Sequence, residues 1–159
     1  MKLKGEQYTT HHCFVCGEEN QLGLNMKFYE TEDGRVLGIF RGKRDHCSYP
    51  DRMHGGIISA ILDEVIGRCI ELRQPGCLGV TTQLNVKFRK PVPTGVELKV
   101  LGTLVKDTPR GFEGHGEILL PDGSVAASAD AIYFKCRPGA FENMGDELLY
   151  HDGEEMPKL

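Results

Sequence analysis

No stretch of this 159-residue sequence approaches the ~20 consecutive apolar residues that a membrane-spanning helix requires. The opening residues, M-K-L-K-G-E-Q-Y, also lack the apolar run of an export signal, so the expectation is a soluble, cytoplasmic protein with no membrane partner. Aromatic residues make up only 8%, and no basic stripe carries them interleaved, which argues against a nucleic-acid partner. Internal repeats and low-complexity tracts are missing as well. Metal ligands at tight spacing are scarce. Cys13 and Cys16 form one C-x-x-C pair, but Cys47, Cys69, Cys77 and Cys136 are scattered singly, and the adjacent His11 and His12 do not complete a zinc pattern. The cysteines are expected to be reduced packing thiols, with no metal and no cofactor bound.

At 17.7 kDa the chain suits a single domain over 1–159, with a core of about 24–137, a Cys-containing N-terminal segment 1–23 and an acidic tail 138–159. In that tail Glu142, Asp146, Glu147, Asp152, Glu154 and Glu155 face the single base Lys158. The net charge of −4 therefore belongs to the tail, and the remaining 137 residues are left at about +1, a balance that allows a phosphate-bearing ligand.

Residues 24–31 alternate apolar and polar and lead through E-D-G-R to a partner at 34–42, which predicts a hairpin. Residues 43–53 are polar, contain Pro50, and read as a loop. One convincing helix follows, about 56–73, closed by Pro75-Gly76. From there the period is two, with runs at 79–90, 96–106, 112–120 and 124–135 separated by proline and glycine turns. This order predicts an α+β domain: an antiparallel sheet around one helix.

Along that helix Ile57, Ile58, Ile61, Leu62, Val65, Ile66, Cys69 and Ile70 fill an arc of about 220°, wide enough to predict a surrounding sheet or a second subunit. Glu64 falls on the polar side, four residues before Arg68, as in an exposed ion pair. Asp63 instead stands at the border of the apolar arc beside Ser59, Ala60 and Gly67, small residues that leave room for a ligand or another backbone. Gly55 and Gly56 open the helix, where unpaired N–H groups and the positive end of the dipole favour an oxyanion that glycine lets come close.

The pattern H-G-G-x-x-x-x-x-x-D, the helix-ending glycine, the strand G-V-T-T-Q-L-N-V-K-F-R-K-P and the opening C-F-V-C-G-E-E-N-Q-L-G-L together resemble the hotdog-fold thioesterases of the PaaI-like type. The resemblance implies a hotdog fold, a homodimer or dimer of dimers, and sites at the subunit interface that hydrolyse acyl-CoA. It implies that the Gly55 N–H polarises the thioester carbonyl and that Asp63 is nucleophile or general base, acting with the opposite subunit's helix start. Thr81 corresponds to a hydroxyl that helps position water, and Phe88, Arg89 and Lys90 to a strand end that contacts coenzyme A. His54, Gly56 and Asn85 join the substrate-binding set, His54 as a loop-fixing residue. Ser48 stands where some relatives carry a substrate-touching Asn, and Gln21 where a proline is common. Strand alternation, by contrast, turns Thr82 rather than Thr81 toward the helix, with Leu84, Val86 and Phe88. Two rival functions share the fold: a non-hydrolytic acyl-CoA binder, which has no need of an acid at 63, and a dehydratase or hydratase, which needs a differently spaced His and acid.

Overall fold

The computed structural model describes residues 1–151 and 156–157; Asp152, Glu154, Glu155 and Lys158 lie outside the described residues. Its strands, in chain order, are β1 (Leu3–Glu6), β2 (Thr9–Thr10), β3 (Lys27–Thr31), β4 (Val36–Arg41), β5 (Cys47–Tyr49) and β6 (Arg52–Met53). Helix α1 (Gly55–Gly67) follows, then β7 (Gly79–Phe88), β8 (Glu97–Asp107), β9 (Gly111–Leu119), β10 (Val125–Lys135), a short α2 (Met144–Glu147) and β11 (Leu148–Leu149). The four long runs of period two fall within a residue or two of β7 to β10. The loop predicted at 43–53 instead contains a 3-10 turn, Arg44–His46, and the β5–β6 hairpin.

Seven strands form one antiparallel sheet in the order β1-β3-β4-β8-β9-β10-β7. It curls round α1, which packs on β4, β7, β8, β9 and β10. Seven of the eight residues in the helix's apolar arc are buried, Ile57 alone being partly exposed. The chain's own sheet and N-terminal segment therefore cover the wide arc, and no second subunit is needed to do so. Gly102 and Gly114 make that closeness feasible: a Cβ on Gly102 would lie 2.7 Å from the Val65 carbonyl oxygen, and one on Gly114 2.5 Å from Ile66 Cγ2. The predicted helix 56–73 divides at Gly67, where the backbone tightens into the 3-10 turn Arg68–Leu72.

The N-terminal segment is built into the body. β1 adds to the sheet beside β3, β2 pairs with β11 from the tail, and Val15 and Cys16 are core residues. Lys43 ties it to the loop before α1 by donating through Nζ to the Gly23 carbonyl (2.8 Å) and Asn25 Oδ1 (2.9 Å). Buried His46 adds a contact between Nε2 and the Leu22 carbonyl at 2.8 Å. No helix among the described residues is long and apolar enough to cross a membrane.

Candidate active site

Asp63 sits one turn before the end of α1 and lines a cavity of about 280 Å³ with Thr81, Tyr133, Gly67, Cys13, Cys16 and Glu64 among its neighbours. Thr81 Oγ1 and the Tyr133 hydroxyl both donate to Asp63 Oδ1, each at 2.8 Å. The Tyr133 O–H is shared with the Asp63 carbonyl oxygen, 2.7 Å away. Burial first, and then the Asp63 charge, push the Tyr133 pKa well up, so the phenol keeps its proton and remains a donor. Among the described residues Asp63 Oδ2 has no hydrogen-bond partner, which leaves it available to a ligand. The space predicted beside Asp63 at Gly67 is taken up by the Tyr133 ring, whose Cε1 lies 3.3 Å from where a Cβ would be.

Tyr133 escaped the sequence reading. Its signal lies in β10, where Ala127, Ala129 and Ala131 mark the inward face and Tyr133 is the next residue on it. Alternation also misplaced a threonine. Leu84 pairs with Ala131 and Gln83 with Ile132, but Tyr133 pairs with Thr81, so Thr82 is the extra residue of a β-bulge. The bulge turns Thr81 onto the helix side, while Thr82 Oγ1 donates to the Ile132 carbonyl at 3.0 Å.

At the other end of α1, His54 is the N-cap, and its Nδ1 accepts the Gly56 N–H at 2.9 Å. The structure thus gives the Gly56 N–H to the cap. The Gly55 N–H, at the first helical position, has no intrahelical acceptor. The entry to the helix is fixed by the His54 N–H bonding to the His46 carbonyl (2.8 Å) and the Met53 N–H to the Val92 carbonyl (2.9 Å). Gly55 shares a cavity of about 430 Å³ with Phe88, Arg89, Lys90, Tyr49 and Arg52. Three cations therefore gather near the helix start, with Arg89 Nη1 donating to Ser128 Oγ at 2.6 Å. Ser48 on β5 and Asn85 on β7 are exposed, and neither lines this cavity or the one around Asp63.

Within one chain the predicted site residues other than Ser48 and Asn85 thus fall into two groups, one at each end of α1. Eight residues separate Gly55 from Asp63, which is about 12 Å along the axis at ~1.5 Å per residue. Strand β7 runs past both ends, with Thr81 on Asp63 at one and Phe88 against Gly55 at the other. A groove of about 850 Å³ bordered by Cys77, Arg110, Lys135, Arg137 and Phe141 includes none of the predicted site residues.

The Glu64–Arg68 pair is not the solvated pair that helical spacing predicted. Arg68 is only 5% exposed; its Nε donates to Glu64 Oε1 (2.9 Å) and its Nη1 to the Tyr8 carbonyl (2.8 Å), and its guanidinium lies 4.2 Å from the Phe28 ring centre. Residues of the N-terminal segment cover this helix face, a contact between positions too far apart in sequence for periodicity to register. Cys13 comes to rest against Glu64 there. Its thiol pKa is drawn down to about 7, chiefly by the Cys16 side chain acting as donor, with burial opposing.

The sequence profile of the thioesterase superfamily matches residues 51–127. Acyl-coenzyme A thioesterase THEM4 of Mus musculus is 30% identical over 91 residues, which are 57% of this chain and 38% of that protein. An uncharacterized protein of Schizosaccharomyces pombe is 31% identical over 97 residues, 61% of this chain and 55% of that one. The chain thus spans between about two fifths and just over half of these relatives' length. Among solved structures, the thioesterase superfamily protein RHA08564 superposes with a TM-score of 0.71 at 29% identity, covering 79% of this chain and 64% of that one. A Bacillus halodurans protein solved with CoA gives a TM-score of 0.64 at 24% identity, over 72% of this chain and 76% of its own.

Proposed function

We propose that this chain, which has the hotdog fold and the sequence profile of the thioesterase superfamily, hydrolyses the thioester of an acyl-CoA to the free acid and CoA. The observation that carries the reading is the placement of an immobilised carboxylate and the Gly55 end of a helix N-terminus at opposite ends of one exposed edge strand. β7 pairs with β10 on one side only, and eight of its ten residues are exposed, including Val80 and Phe88. Such a long open edge is a template for another strand. Antiparallel pairing of β7 with a second copy about a two-fold axis would set the 79 end of one strand beside the 88 end of the other. The partner subunit's Gly55 would then stand near Asp63, and the two half-sites would close into one. The open edge of the sheet is what supports a dimer, whereas the apolar arc of the helix is satisfied within one chain.

In such a site the partner subunit's Gly55 N–H would hold the thioester oxygen as it gains charge. Thr81 and Tyr133 fasten Oδ1, so Oδ2 is the atom that acts. As general base it would take a proton from water as the water oxygen adds to the carbonyl carbon; the C–S bond then breaks and the thiolate of CoA recovers the proton. As nucleophile it would displace the CoA thiolate from the acyl carbon, forming a mixed anhydride as the C–S bond breaks; water then opens the anhydride to the free acid and the Asp63 carboxylate, with the released proton going to the thiolate. Arg52, Arg89 and Lys90 supply positive charge suited to the phosphates of CoA. The PaaI-like spacing of His54, Gly55 and Asp63 supports the same reading.

Purified protein assayed against a panel of acyl-CoAs, with products separated by chromatography, should release CoA from at least one of them. Asp63→Asn keeps the size of the side chain but removes its charge, and should lower that rate ~100-fold or more while the acyl-CoA still binds. Binding without hydrolysis by the parent would favour the acyl-CoA binder, and an Asp63→Asn protein as fast as the parent would remove Asp63 from the reaction.

A further inference from the structure

The C-x-x-C pair of the N-terminal segment lacked further ligands in the sequence, but the fold supplies one from α1. Cys13, Cys16 and Glu64 each present a ligand atom, and the three atoms lie within 4.8 Å of one another. The geometry points to a binding site for one thiophilic divalent cation of the zinc class, held by Cys13 Sγ, Cys16 Sγ and a Glu64 carboxylate oxygen.

Three features of the surroundings fit that occupant. First, the backbone around the cysteines is shaped to hold a thiolate. Cys13 Sγ accepts the N–H groups of Val15 (3.3 Å) and Cys16 (3.5 Å), the outer-shell donors that orient a metal-bound sulfur. The turn is closed by the Gly17 N–H bonding to the Cys13 carbonyl at 2.8 Å, and it admits no side chain, since a Cβ on Gly17 would lie 2.3 Å from that oxygen. Second, the two oxygens of Glu64 are divided between tasks. Arg68 holds Oε1, which directs Oε2 toward Cys13 Sγ at 4.0 Å. Tetrahedral coordination with metal–sulfur bonds of ~2.3 Å and metal–oxygen bonds of ~2.0 Å needs ligand-to-ligand spacings of roughly 3.5 to 3.8 Å, so only a small contraction separates this cluster from a bound geometry. Third, the charges balance. Two thiolates and a carboxylate set against a divalent cation leave one negative charge, which the buried guanidinium of Arg68 offsets. The fourth position would be filled by water from the cavity that all three ligands line together with Asp63. Bound in this way, the cation clamps the N-terminal segment to α1.

The test is independent of hydrolysis. Reduced protein, handled without oxygen, is titrated with Co²⁺ and read by its absorption spectrum. About one equivalent should produce the near-ultraviolet thiolate-to-cobalt band together with the visible bands of a four-coordinate ion, and Zn²⁺ should abolish both. The double variant Cys13→Ser/Cys16→Ser should lose the thiolate band, Glu64→Gln should weaken binding by ~10-fold or more, and Cys47→Ser should behave as the parent. Circular dichroism of each variant without metal establishes that it is folded. Asp63→Asn should take up Co²⁺ normally, so a hydrolysis assignment that fails leaves this site standing. Absence of a thiolate band at saturating Co²⁺, or its persistence in the folded Cys13→Ser/Cys16→Ser variant, overturns the proposal.

Discussion

Asp63 owes its geometry to two hydroxyls, and their separate removal should be measurable in the proposed reaction. Tyr133→Phe deletes one hydrogen bond to a carboxylate, a change of ~1.5 to 3 kcal/mol, and should therefore lower kcat by about 10- to 100-fold with little change in KM. Thr81→Ala should act in the same direction. Thr82→Ala should leave kcat near the parent value, because the Thr82 hydroxyl bonds to Ile132. Equal losses from both threonine variants would mean that the bulge does not decide which side chain reaches Asp63. Glu71 tests a different property, since burial raises its pKa while Oε2 accepts the Gly76 N–H at 2.9 Å. A carboxyl with a raised folded-state pKa stabilises the fold fully below its ordinary pKa and loses that contribution as pH rises through the raised value. Glu71→Gln lacks the loss. Its Tm relative to the parent should move upward as pH rises above the ordinary carboxyl range of about 4, and a gap independent of pH would show that Glu71 is not desolvated.

At the scale of the element, the close seating of α1 on the sheet rests on positions where a side chain has no room. Gly102→Ala would drive a methyl group toward the Val65 carbonyl oxygen, a backbone atom fixed inside the helix. It should lower the urea midpoint by an amount equivalent to about 3 kcal/mol with the slope unchanged. Gly34→Ala is no substitute control, because Gly34 holds a positive φ of 78°; Gly5 in β1, with nothing near its missing Cβ, is the better comparison. A Gly102→Ala protein as stable as Gly5→Ala would mean that the helix can move off the sheet at little cost.

For the whole molecule the decisive feature is the open edge of β7: Asp63 and Gly55 lie in separate cavities of one chain and would share a site only in the proposed dimer. Gly55→Pro removes the N–H at the first helical position, where proline is tolerated, and should be inactive like Asp63→Asn. Random pairing of these two inactive proteins gives mixed dimers in which one of the two sites has both parental groups. Co-refolded mixtures should regain about a quarter of the parental activity. A mixture as inactive as its components would place both groups on the same chain, or remove one of them from the reaction.

Local chemistry was legible in the sequence by itself. Periods of 2 and 3.6 mark β7 to β10 and α1, the proline and glycine turns bound them, and the H-G-G spacing singles out Gly55 and Asp63 before any coordinates. All of these depend on residues within a turn or a strand of one another. What only the tertiary structure decided depends on pairings between distant segments. The bulge at Thr82 exists in the register between β7 and β10, Tyr133 meets Asp63 across 70 positions, and Arg68 is buried because the N-terminal segment lies over it. Glu64 reads as a solvated partner from its helix alone and becomes a neighbour of Cys13 across 51 positions. Periodicity assigns a side chain to a face, but which segment covers that face, and with what register, is settled only when the whole chain packs.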